Sequence, residues 1–298
     1  MTATLTQPAA PPRAAGKARK TPSRRVLLLL LPMLVIFAVG FAVPLYFVIR
    51  FSLEHFDAAG GQTWGFTFEQ FLTIFTTPLY GNLILRTLGL ALATTVISAL
   101  IGYPLALAIT RGPRRLRGPL MAVVTIPMLT SVVVKTFGWQ VLLGSDGFLQ
   151  RALDAVGLSS VKLLNTPAGV VVGLVHTYFP FMVISLVAAL SALDRRTEEA
   201  AAALGSPPGQ VFRRVTFPQS LDGLAAGSAL TFVTSMSALI TPQMLGGGKV
   251  STIVTVIYQQ ATTAQNWPLA SALGVVLLVI TFVILSLQTW AVRRATRG

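Results

Sequence analysis

Few side chains in this chain can act chemically on a substrate. The two histidines are His55 and His176, and no Asp or Glu lies inside an apolar stretch to orient either one as a base. The absence of cysteine removes disulfides, thiolate nucleophiles and cysteine-held metals. Gly246-Gly-Gly-Lys249 lacks the Gly-x-x-x-x-Gly-Lys-Ser/Thr spacing that cradles a phosphate, so it reads as a loop. A catalytic centre, a metal site and a nucleotide site are all unexpected here.

Two other groups of residues have spacing worth reading. The first runs from about Ser191 to Gly223. Asp194-Arg-Arg-Thr-Glu-Glu-Ala-Ala-Ala-Ala-Leu-Gly205 predicts a helix, with Asp194 or Thr197 as N-cap and Glu198 and Glu199 in the first turn, where the helix dipole favours acids. Gly205 and Pro207-Pro208 end it, and Gly209 to Val215 predicts a second short helix stopped by Pro218. Such an alanine-rich knob lets a second protein approach closely; the plainer reading is a solvated connector. The second group is apolar and hydroxylic. Trp139, Tyr178 and Phe179 offer ring faces that suit a cationic solute or anchor at an interface. Thr231, Thr234, Ser235 and Thr241 fall at helical spacing, fitting either a water-filled path or small-residue packing aided by Gly227.

The elements that position these residues follow from composition. Of 298 residues 53% are hydrophobic and 11% charged, against about 25% charged in a soluble domain. An ordinary cytosolic enzyme and a disordered chain are both excluded. A bilayer core about 30 Å thick needs about 20 apolar residues per helix. Six stretches qualify: Val26–Ile49, Leu83–Thr110, Leu120–Leu143, Gly169–Leu190, Leu224–Leu245 and Leu269–Val292. The expected fold class is an all-α membrane protein with six transmembrane helices. Ala38-Val39-Gly40 offers a weak signal-cleavage site, but the apolar run continues to Ile49, so a retained helix is expected.

Under a six-helix count, seventeen of the 23 basic residues fall on one side, against four acids: Asp194, Glu198, Glu199 and Asp222. The positive-inside rule places that side, and both termini, in the cytoplasm of an inner-membrane protein. The net charge of +14 is therefore a topology signal and implies no nucleic-acid partner. The helix rise puts His176 about 12 Å in from the outer end of the fourth helix, as a pore group or a histidine bonded to a neighbouring helix. Lys135 stands about 24 Å above Leu120 on the same rise, positioned to snorkel to the outer interface.

The Ser191–Gly223 segment resembles the cytoplasmic loop of the type I ATP-binding cassette (ABC) importer permeases. That family's pattern is Glu-Ala-Ala, three residues, Gly, nine residues, then Ile-x-Leu-Pro. Here it is matched by Glu199-Ala200-Ala201, Gly205, Val215, Phe217 and Pro218, with mild apolar exchanges at Val215 and Phe217. The resemblance runs from about Gly81 to Ala291. Lys135-Thr-Phe-Gly-Trp139, His176-Thr-Tyr-Phe-Pro180, Thr241-Pro-Gln-Met-Leu-Gly-Gly-Gly-Lys249 and Asn266-Trp-Pro are similar to the polyamine-type permeases within the family; related subunits serve iron, phosphonates, opines or amino-acid-like solutes.

The resemblance implies a type I importer permease fold. Residues 1–25 would be a disordered basic tail, 26–50 the first helix and 51–80 a periplasmic loop. Residues 81–292 would be the transmembrane domain carrying the coupling loop 191–223, and 293–298 a cytoplasmic tail. It implies a non-catalytic subunit without cofactor. Its partners would be two ATPase subunits that bind ATP and Mg, a second homologous permease, a periplasmic solute-binding protein and membrane lipids. The loop helix would seat in the ATPase through Glu198, Glu199, Ala200, Ala201, Leu204, Gly205 and Pro218. A gradient-driven secondary transporter is the competing class, but such proteins carry intramembrane carboxylates and inverted repeats, and neither is seen here. The same lack of carboxylates weighs against a polyamine path formed by this chain alone.

Overall fold

A computed structural model of the chain describes residues 24–57, 61–63, 65–155, 157 and 162–297. The basic tail falls almost wholly outside the described residues. Two units are distinguished, residues 1–47 and 48–298. In the first, α1 (Arg24–Phe51) keeps its helix through Pro32 and Pro44 and continues four residues into the second unit.

The segment expected as a plain outer loop carries structure of its own. An antiparallel hairpin pairs β1 (His55–Asp57) with β2 (Gly61–Thr63), followed by α2 (Glu69–Thr76). His55 Nδ1 and Glu69 Oε2 lie 2.6 Å apart and tie the hairpin to that helix. Then come α3 (Pro78–Arg111), α4 (Arg114–Leu129), α5 (Val132–Leu143), α6 (Phe148–Ala155) and α7 (Pro167–Ala192). The loop knob follows as α8 (Arg195–Ala203), α9 (Pro208–Val211), a π-helical turn π1 (Phe212–Thr216) and α10 (Phe217–Gln219). The chain ends in α11 (Leu221–Met236), α12 (Ile240–Gly246), α13 (Ile253–Thr262) and α14 (Trp267–Arg297).

Among the described residues four helices are long and apolar enough to cross a membrane: α1, α3, α7 and α14. The other two expected spans are broken. The third bends by 102° between α4 and α5, and the fifth by 60° between α11 and α12. Counting each bent pair as one span gives the six expected. Pro127 sits in the last turn of α4, where its missing N–H weakens the helix just before the break, and Thr130 N–H donates to its carbonyl at 3.3 Å. Pro242 sits inside the short α12, beyond a break at Ser237–Leu239.

The core of the second unit is built around α3 and α7. Tyr103, Ala106 and Ile109 of α3 are buried with Met182, Val183, Leu186 and Leu190 of α7 and Val124 of α4. Toward the other end of α3, Tyr80 and Leu83 pack with Ile253 of α13 and Leu269, Ala272 and Leu273 of α14. The N-terminus of α13 is closed by a reciprocal Thr252–Thr255 capping box, and Ile253 N–H donates to Thr87 Oγ1 of α3 at 3.0 Å. Large apolar side chains face outward along α3 (Leu85, Leu92, Leu100) and α14 (Leu278, Phe282, Leu287). Outward Leu and Phe in such rows suit lipid rather than water.

Candidate functional site: the loop knob and the bent helices

Asp194 caps α8, its carboxylate accepting from Arg196 N–H at 3.0 Å, while Thr197 Oγ1 turns back to Asp194 C=O. Because the helix starts at Arg195, only Glu198 lies in the first turn, and Glu199 falls in the second, a correction to the sequence reading. The helix ends as expected. Gly205 has φ +82, its N–H donates to Ala202 C=O, and Ser206 N–H donates to Ala201 C=O. That is a Schellman closure, in which the left-handed residue is nearly always glycine.

Pro218 does not stop the second helix. The chain turns through π1, with Phe217 N–H reaching Phe212 C=O five residues back, and stays helical into α11 with one break at Ser220. The wider π turn absorbs the proline, whose ring would clash with the carbonyl four residues back in a regular helix.

The two neighbouring glutamates face different ways. Glu198 Oε1 accepts from Arg111 Nη2 and from Thr216 Oγ1, both at 2.9 Å, and is only one-fifth exposed. Glu199 and Ala200 are exposed, and Leu204 keeps 87% of its surface. Gly205 and Pro218 are exposed as well, while Ala201 is half-buried. Between α8, α9 and π1 lies an apolar recess of about 370 Å³, with Ala202, Pro208, Val211 and Phe212 in its wall and both glutamates at its edge. Sequence reasoning missed Arg111 and Thr216 as partners of Glu198. Arg111 lies 87 residues away, and no spacing rule connects them.

The other candidates do not converge on one cage. Trp139 packs edge-on against His176, with ring centroids 5.6 Å apart. Tyr178 shares the cluster of Leu143, Val170 and Leu174 with Trp139, and stacks on Phe181. Phe179 packs instead against the Tyr103–Leu186 cluster. His176 meets α5 through its ring alone; its buried Nδ1 has no hydrogen-bond partner among the described residues.

The hydroxyl stripe is also divided. Thr231, Thr234 and Ser235 belong to α11, but Thr241 lies past the 60° bend in α12, so the four do not share one helix face. Thr234 donates to Leu230 C=O and Ser235 to Thr231 C=O, whereas Thr241 meets Thr136 of α5 at 3.2 Å, fully buried. Gly227 lies close against α7, where a Cβ would come within 3.1 Å of Met182 Cα, so a side chain there would force the two helices to shift. Lys135 does not reach outward along a continuous helix. Its ammonium crosses the bend and donates to Pro127 C=O at 3.0 Å.

Comparison with known proteins adds the following. Residues 98–297 match the family described as "Binding-protein-dependent transport system inner membrane component". The chain is 32% identical over 240 residues to the spermidine/putrescine transport permease PotB of Haemophilus influenzae, covering 80% of this chain and 84% of that protein. It is also 32% identical over 214 residues to the molybdenum transport permease ModB of Mycobacterium bovis, covering 71% and 79%. Among solved structures, a bacterial alginate ABC transporter in complex with its alginate-bound periplasmic protein aligns with a TM-score of 0.76 at 20% identity, covering 92% of this chain and 96% of that one. That likeness concerns the fold.

Proposed function

Because the chain belongs to the family of binding-protein-dependent transport system inner membrane components, the permease subunits of ABC importers, we propose that it forms half of a heterodimeric import pore and receives the ATPase stroke through its loop knob. The observation that carries this reading is the outward face of α8. Glu199, Ala200, Leu204 and Gly205 are exposed on a helix whose neighbouring carboxylate, Glu198, is turned inward and satisfied. An exposed Leu beside a free carboxylate and a flat glycine turn suits a protein groove bearing a basic residue. ATPase closure would draw two such knobs together and switch the pore between inward- and outward-facing states by rigid-body motion.

The solute is a polyamine on this reading, supported by the 28–32% identity to the spermidine/putrescine permeases over 80% of the chain. The molybdenum relative supports the alternative of another small solute on the same machinery. Trp139, Tyr178, Phe179, Thr234, Ser235 and Thr241 are the residues proposed to border the solute path once a second permease completes it. No carboxylate lies within the apolar stretches, so ion pairing to a polyamine would come from that second permease or the binding protein. The test is purification through a tag on this chain. It should bring down an ATPase and a non-identical permease, and reconstituted vesicles given the binding protein should take up labelled putrescine or spermidine on ATP. Two copies of this chain without a sister would overturn the heterodimer, and uptake of molybdate alone would overturn the solute.

The basic clusters further support a cytoplasmic knob and cytoplasmic termini. Single cysteines are introduced cleanly into this cysteine-free chain. One at Gly247 should react with an impermeant thiol reagent in intact spheroplasts, and one at Ser206 only after permeabilisation. Labelling of Ser206 from outside would reverse the orientation.

A further inference from the structure

The loop knob is held to more than the two helices it joins. Arg195 Nη2 donates to Thr110 C=O at 2.5 Å, and Arg111 Nη2 donates to Glu198 Oε1 at 2.9 Å, so two contacts fix α8 to the last turn of α3. Thr216 Oγ1 donates to the same Glu198 oxygen from π1. About two turns deeper along α3, Tyr103 Oη and Ser220 Oγ at the head of α11 lie 2.6 Å apart, in a ring cluster of Tyr103, Phe212 and Phe217. Three separate segments, α3, α8 and π1, therefore meet at one carboxylate oxygen.

We propose that Glu198 is a positioning residue that bolts the knob to α3, so that a displacement of α8 is delivered to α3 as well as to the flanking α7 and α11. The inference deepens the coupling reading above and rests on it. The chemistry suits the role. Two cationic side chains at the C-terminal end of α3 complement its exposed carbonyls, and Glu198 balances them. Charge-assisted bonds of 2.9 Å in a site about one-fifth exposed are stronger than neutral ones and hold geometry. Arg111 also depends on this acid, because its buried Nε has no partner among the described residues. The π turn contributes too, since it brings the hydroxyl of Thr216 to a buried position facing Glu198. Without Glu198, the hold of α8 on the last turn of α3 would rest on the Arg195–Thr110 bond.

The experiment uses the assembled transporter with spin labels on cysteines replacing Arg196 of α8 and Ala108 of α3, both exposed. The label distance should stay single and unchanged between the nucleotide-free and ATP-bound states, and Glu198→Ala should broaden it. In vesicles, Glu198→Ala should lower solute moved per ATP by about tenfold, the scale of losing a charge-assisted hydrogen-bond pair. The ATPase should still co-purify, because Glu199 and Leu204 keep their exposure. Glu198→Gln, whose amide oxygen still accepts both bonds, should recover most of the ratio and the narrow distance. A label distance that shifts with ATP in the unmodified loop, or an unchanged transport ratio in Glu198→Ala, would overturn the junction. An ATPase that never binds this permease would instead overturn the coupling reading, and the label distance would still decide whether Glu198 holds α8 to α3.

Discussion

Replacing Gly205 with Asp, or Glu199 with Lys, is expected to abolish solute uptake while membrane insertion and solute capture by the binding protein remain intact. Gly205 holds φ +82, where a side chain costs about 1 kcal/mol or more. The open space around it means that this backbone strain, rather than an internal clash, is the local penalty. The larger penalty lies at the partner. The turn is exposed beside Leu204, so an added carboxylate enters the surface proposed to meet the ATPase. Glu199→Lys leaves α8 folded, because Asp194 caps it and Glu198 holds it, yet it reverses the one exposed acid of the helix. Loss of a central contact of this kind is worth about 2–4 kcal/mol, so uptake should fall by at least about 30-fold. The measurement is solute-stimulated ATP hydrolysis in vesicles, paired with ATPase retention on the tagged permease. Full stimulation and uptake in both variants would reduce the knob to a passive connector.

The second large effect is expected at the α4–α5 bend. Lys135 donates to Pro127 C=O across a 102° turn between two apolar helices. Among the described residues the backbone reaches that carbonyl through Thr130 N–H, at a long 3.3 Å. In a bilayer no water replaces a lost partner, and an unsatisfied backbone group costs several kcal/mol. Lys135→Met should therefore let the bend relax and lower uptake by about tenfold or more. Lys135→Arg, with a donor of similar reach, should retain most of it. Limited proteolysis and thermal unfolding in detergent should report a looser third span for the methionine variant. Unchanged uptake and stability would show that the bend holds itself.

The sequence showed the apolar runs that became α1, α3, α7 and α14, because about 20 apolar residues in a row have few stable places outside a bilayer. It located both ends of α8 in outline, since an aspartate cap and a glycine closure act over four or five residues, well inside the range of sequence patterns. It placed Glu199 a turn too early, because two caps were available and the helix starts directly after Asp194. Pro218 was misread for a related reason. A proline forbids a regular α-turn, but the neighbouring π turn is an equally bonded alternative that local propensity does not reveal.

By itself the sequence determined that this protein belongs in a membrane and that the segment after Asp194 folds as a capped helix closed at Gly205. These properties depend on composition and on contacts a few residues apart. Tertiary structure alone decided where the third and fifth spans bend, that Thr241 meets Thr136 rather than joining Thr231 and Ser235, that Lys135 folds back on Pro127, and that Glu198 is taken inward by Arg111 and Thr216. Each rests on a pairing set by how helices cross. A buried polar group takes whichever donor or acceptor that crossing places within about 3 Å, however far away it lies in sequence.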